Sequence, residues 1–129
     1  MTRRDEVEHL LKRSKEFLET AEHQISKGFY ALAAFSLEQS LQIFLKAKMI
    51  LRGVDYPRTH SVRALLEMSS DLAPEEEKSS IKHILEKYLL ELGILEDAYI
   101  TSRYVMREYR KEEAERLMKV VKEVMNNVE

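Results

Sequence analysis

GFYALAAFSLEQSLQIFLKAKMILRGVDYPRTHSVRALL, residues 28–66, is the segment around which the rest of the chain is organised. From Phe29 to Leu37 no residue is charged, and apolar side chains fall on every side of the helix that such a run forms. A helix that is apolar all round has to be buried, so its neighbours supply the cover and it serves as an axle. After Leu45 the character changes. Lys46, Lys48, Arg52, Arg58 and Arg63 face a single acid, Asp55, and His60 sits among them. An axle ending in a cationic, His-bearing loop predicts a scaffold that holds an anion site.

Upstream of the axle, Val7, Leu10, Leu11, Phe17, Leu18, Ala21 and Ile25 recur at spacings of three, four and seven. That period predicts an amphipathic helix from about Arg4 to Lys27. Gly28 suits its C-terminal cap, and the short connection forces the axle to return antiparallel. The axle itself is predicted from Phe29 to Arg52, closed by Gly53, with Pro57 in the following loop preventing a simple continuation. Thr59 or Ser61 then caps a short helix carrying Val62, Leu65, Leu66 and Met68.

Pro74 followed by Glu75, Glu76 and Glu77 reads as a first helical turn, where the fixed φ of proline and the helix dipole both suit those residues. Ile81, Ile84, Leu85, Tyr88, Leu89, Leu92 and Leu95 continue it as one long helix ending near Tyr99 to Tyr104. It is expected to pass through Gly93 at a cost of about 1 kcal/mol relative to Ala, the glycine admitting a close neighbour. Ala114, Leu117, Met118, Val121, Val124, Met125 and Val128 define a last helix, whose end the Asn126 and Asn127 pair is expected to fray. The fold class is therefore all-α: an up-and-down bundle of four long helices plus one short helix, as a single domain over residues 1–129.

Composition removes several function classes. With 129 residues, 44% of them apolar and 34% charged, the chain suits one helix-rich core. A formal net charge of -2 argues against a DNA coat role, so any polyanion binding is local. Cysteine is absent, which excludes disulfides, thiolate metal sites and cysteine nucleophiles. No apolar run reaches the roughly 18 residues of a membrane span, and MTRRDEVEHL lacks the apolar core of a signal peptide. A cytoplasmic location without membrane association is expected.

Glu6 and His9 match the E-x-x-H spacing of di-iron bundles, but no second pair exists, so no metal and no cofactor are expected. His9, His23 and His83 read as surface residues. No glycine-rich phosphate loop occurs, which leaves phosphate recognition to Arg and Lys and base stacking to Tyr. A second cationic stretch, from Tyr99 to Lys111, holds Tyr99, Tyr104 and Tyr109 with Arg103, Arg107, Arg110 and Lys111 against Glu108 alone. The two stretches are expected to converge, with Lys46, His60 and Arg103 at one cleft. Leu90 and Ile94 lie beyond a single apolar face and predict a homodimer contact.

Several short motifs, taken in order, resemble one family. Gly28, Phe29 and Tyr30 lead into a helix with Gln39, Leu45, Lys46 and Ala47; a G-x-x-x-P-x-T-H-S loop runs from Gly53 to Ser61. D-x-Y-x-x-x-R-Y follows from Asp97 to Tyr104, then E-E-A from Glu112 to Ala114. This order and spacing is similar to the prokaryotic HEPN domain. The resemblance implies a helical bundle that commonly dimerises and is often encoded beside a minimal nucleotidyltransferase. It also implies nucleotide binding or, in many toxin–antitoxin members, metal-independent ribonuclease activity.

Ribonuclease members carry R-x(4-6)-H late in the bundle. Here Arg103 begins the corresponding place, but Glu108, Tyr109 and Arg110 stand where the histidine belongs. The expected function is a non-catalytic module binding a nucleotide or RNA phosphate through Lys46, His60, Asp97, Tyr99, Arg103 and Tyr104, as partner of a nucleotidyltransferase. One alternative is a ribonuclease toxin with Tyr109 or His60 as an atypical base. The other is a structural dimer or adaptor without ligand.

Overall fold

The computed structural model describes residues 2–55, 57–104 and 107–128, without the side chains of residues 101–103. The described residues form six helices: α1 (Arg3–Ser26), α2 (Tyr30–Leu51), α3 (Val62–Leu72), α4 (Glu75–Lys87), α5 (Leu89–Tyr104) and α6 (Lys111–Asn127). No strand occurs among them. α2 packs against α1, α3, α5 and α6, which makes the uncharged run the axle of the bundle. Ala33, Ala34, Leu37, Leu41, Leu45 and Ala47 have no exposed surface at all.

Thr2 caps α1, its hydroxyl accepting from the Asp5 amide while the Asp5 carboxylate accepts from the Thr2 amide. This reciprocal pair satisfies two donors that a helix start leaves unbonded. Gly28, at φ 80, turns the chain back in a conformation that a Cβ would strain. The two helices then run antiparallel and touch through small residues. Ser14 donates to the Ser40 carbonyl at 2.7 Å, and Ser40 donates to the Ser14 carbonyl at 2.7 Å. Both serines are buried, so the reciprocal bonds avoid the cost of orphaned hydroxyls.

In one respect the helix count differs from expectation. The single long helix predicted from Pro74 to Tyr104 is broken at Tyr88, where φ is -113 and ψ 22, giving α4 and α5. The Tyr88 ring is buried, and its hydroxyl donates to the carboxylate of Glu123 on α6. The break therefore falls at the residue whose hydroxyl reaches α6. Period alone could not reveal it, because two helices that keep register show the same apolar stripe as one. α5 does pass through Gly93 without interruption. The Asn pair does not fray α6 early either: Asn127 is helical, accepts from Ser80 Oγ at 3.0 Å and donates to the Glu123 carbonyl at 2.8 Å.

Candidate functional site

The site grows out of the start of α3. Ser61 is its N-cap, the hydroxyl accepting from the Ala64 amide at 3.1 Å, and Thr59 Oγ1 accepts from the Ser61 amide at 3.1 Å. Glu96 reaches across from α5 to the same helix start. One of its oxygens accepts from Ser61 Oγ at 2.6 Å, the Arg63 amide at 3.0 Å and Arg63 Nε at 3.0 Å; the other accepts from Arg63 Nη2 at 2.8 Å. An anion at a helix N-terminus is favoured by the dipole, and the forked guanidinium adds geometric specificity. Burial works against the charge on Glu96, but the Arg63 and Ser61 hydrogen bonds outweigh it and hold the carboxyl below its ordinary value.

Arg63 reaches this position past Gly93. A Cβ at Gly93 would lie 3.3 Å from Arg63 Nη1, so the missing side chain is the space the guanidinium occupies. With Ser61 anchored, the preceding residue is set down beside α5. The His60 ring stacks on Tyr99 with centroids 4.5 Å apart and planes at 17°, and Tyr99 lies against Phe35 of α2 at 6.3 Å.

From this stacked position His60 Nδ1 stands 3.2 Å from Gln42 Oε1, the atom that also accepts from Lys46 Nζ at 3.1 Å. Gln42 Nε2 donates at 2.8 Å to Glu38 Oε2, and Gln39 Nε2 donates at 2.8 Å to Glu38 Oε1. Glu38 has no exposed surface. Burial raises its carboxyl to about 7, against the hydrogen bonds of Gln42 and Gln39 and the charge of Lys46. Burial likewise lowers the Lys46 ammonium, opposed by Glu38. The result is a ladder of side chains from a buried acid to an exposed imidazole.

Of the residues singled out from sequence, the fold gathers Lys46, His60 and Tyr99 into this cluster. Asp97 is exposed on α5 and bears on Arg63 instead. Tyr104 is 74% exposed at the end of α5. Arg103 belongs to α5, but its side chain lies outside the described residues, and with it the expected convergence on Lys46 and His60. Tyr109 is buried in the main core beneath Arg107, whose guanidinium lies 4.4 Å from the ring centroid. His9, His23 and His83 are exposed. Among the described residues no group of His, Asp and Glu could hold a metal ion, and no helix is long and apolar enough to cross a membrane.

Glu38, Gln42 and Glu96 were not anticipated. For Glu38 and Gln42 the signal in the sequence is an acid with two nearby glutamines inside a helix that must be buried all round. Such an acid needs partners, and the glutamines are the nearest donors.

The backbone is similar to two solved structures. TT1696 from Thermus thermophilus is 24% identical at a TM-score of 0.71, covering 95% of this chain and 94% of that one. The archaeal HEPN homologue ST0689 is 26% identical at a TM-score of 0.68, covering 95% of this chain and 93% of that one. No curated protein sequence matches. The family model of the HEPN domain matches residues 7–129, and the chain belongs to that family.

Proposed function

We propose that this HEPN domain is a non-catalytic binding module for a nucleotide or RNA phosphate, acting as a homodimer beside a minimal nucleotidyltransferase. The observation that carries the reading is the joint hold of Lys46 and His60 on Gln42 Oε1, with the His60 ring stacked on Tyr99. A cation beside an exposed aromatic stack suits a phosphate and the base attached to it. The absence of a histidine at the R-x(4-6)-H position weighs against catalysis.

Calorimetry with AMP, ATP and GTP tests the reading. Lys46→Met is expected to weaken binding by about 1.5–3 kcal/mol, the range for a hydrogen bond to a charged group. No binding by the unaltered protein, or equal affinity in the variant, would reject the site. A ribonuclease is the second reading, favoured by His60 standing beside Lys46. RNA cleavage by the purified protein that is lost in His60→Ala would promote it.

The dimer rests on α5, where Leu89, Leu90, Ile100 and Tyr104 are 50%, 76%, 55% and 74% exposed. Light scattering should give twice the 15.2 kDa chain mass; a value at the chain mass would remove the homodimer from this reading. A short nucleotidyltransferase reading frame next to this gene would support the partner.

A further inference from the structure

We infer that Gln42, clamped between Glu38 and Lys46, fixes His60 in its Nδ1–H tautomer and so presents Nε2 as a hydrogen-bond acceptor for a hydroxyl group of the ligand. Gln42 has one donor end and one acceptor end, and both are engaged by groups that allow only one orientation. Its Nε2 faces Glu38 Oε2 at 2.8 Å, and its Oε1 faces Lys46 Nζ at 3.1 Å. Reversing the amide would set its NH2 group against an ammonium and its carbonyl against a carboxylate. Lys46 enforces the orientation even when Glu38 carries a proton, because an ammonium can only donate.

The remaining neighbour of Gln42 Oε1 is His60 Nδ1 at 3.2 Å, and a carbonyl oxygen accepts. Nδ1 therefore carries the hydrogen. A neutral imidazole has a single N–H, so Nε2 is left with its lone pair. Gln42 is 6% exposed and Glu38 fully buried, so the clamp is set in packed surroundings rather than on a mobile surface. Stacking on Tyr99 fixes the plane of the ring as well.

An acceptor beside an ammonium suits a ligand with a hydroxyl near an anionic group. Resting on the nucleotide reading above, that hydroxyl is the ribose 2′-hydroxyl, and the site selects ribonucleotides over 2′-deoxyribonucleotides. Gln42 and Glu38 act through His60 and are positioning residues.

Two measurements test this. Long-range 1H–15N NMR at pH 8 reads the tautomer directly. The unaltered protein should show His60 protonated at Nδ1, Gln42→Met should shift it to the Nε2–H form, and Gln42→Glu, which restores an acceptor, should return it to Nδ1–H. An Nε2–H tautomer in the unaltered protein, or no change in Gln42→Met, would overturn the clamp. Calorimetry with AMP and 2′-deoxy-AMP reads the consequence. A preference for AMP of about fivefold is expected from one hydrogen bond, lost in Gln42→Met. Equal binding of the two by the unaltered protein would overturn the hydroxyl assignment. Binding of neither would reject the nucleotide reading, while the NMR result would still decide the clamp.

Discussion

Glu38 and Glu96 approach the site through neighbouring residues, His60 and Ser61, and end in opposite electrostatic states. Glu38 is fully buried with two glutamine amides as donors, and its carboxyl is raised to about 7. Glu96 is partly exposed, holds the Arg63 guanidinium and a helix start, and sits below its ordinary value. Neutral donors solvate a buried carboxylate less completely than water does; a guanidinium, a hydroxyl and a backbone N–H together do it better. The Glu96 charge itself adds to the rise at Glu38. One acid is a cap that holds a loop, and the other is left able to take a proton near neutral pH.

The largest expected effect exploits that difference through pH. Because the folded-state pKa of Glu38 lies above its ordinary value, the folded chain binds this proton more tightly than the unfolded one. Its contribution to stability is full below about pH 4.5, falls as pH rises to about 7, and is level above that. The shift corresponds to about 3 kcal/mol at 1.36 kcal/mol per pH unit. Urea unfolding between pH 4.5 and 8 should show this slope in the unaltered protein and its loss in Glu38→Gln. Parallel curves for the two would mean that Glu38 is not perturbed.

Next in size is the cap. Glu96→Ala removes the acceptor of Ser61, the Arg63 amide and the Arg63 side chain together. A lost N-terminal acceptor costs about 1 kcal/mol, and stranding a partly exposed arginine adds about as much, for roughly 2 kcal/mol in all. The same variant should broaden the His60 ring signals, since Ser61 no longer anchors its neighbour. A cost under about 0.5 kcal/mol in urea unfolding would show that Glu96 does not hold the loop.

The smallest effect is at Gly93. Alanine gains about 1 kcal/mol of helix propensity, but its Cβ would press on Arg63 Nη1 at 3.3 Å while Glu96 holds that guanidinium in place. Gly93→Ala is therefore expected to be near neutral alone and to stabilise by about 1 kcal/mol in the Glu96→Ala background, where Arg63 can move. Equal effects in the two backgrounds would mean that the close approach carries no cost.

Much of this arrangement can be read from particular residues. The uncharged run from Phe29 to Leu37 announces a buried helix, Gly28 its tight return, and Thr59 or Ser61 before Val62 and Leu65 a capped short helix, of which the structure selects Ser61. Lys46 and His60 stand out as charge and imidazole around a loop. Glu38 stands out only when its two glutamines are read with it, because a glutamate alone is an ordinary helix former. Only the packing of neighbours on every side of α2 turns it into a buried acid. The break at Tyr88 was hidden for a related reason, since the apolar period runs on across it and the Tyr88 hydroxyl bonds to Glu123, 35 residues further on.

Composition and period, acting over a few turns of chain, were enough to determine an all-α bundle, its axle and the cationic loop that follows. The same local signals cannot specify which side chains meet across helices, because contacts between distant residues depend on how α2, α3 and α5 pack together. It took that packing to bring His60 onto the Gln42 oxygen that Lys46 holds from one turn further along α2, to give Arg63 the space left by Gly93, and to strip Glu38 of water so that burial, rather than residue type, sets its charge.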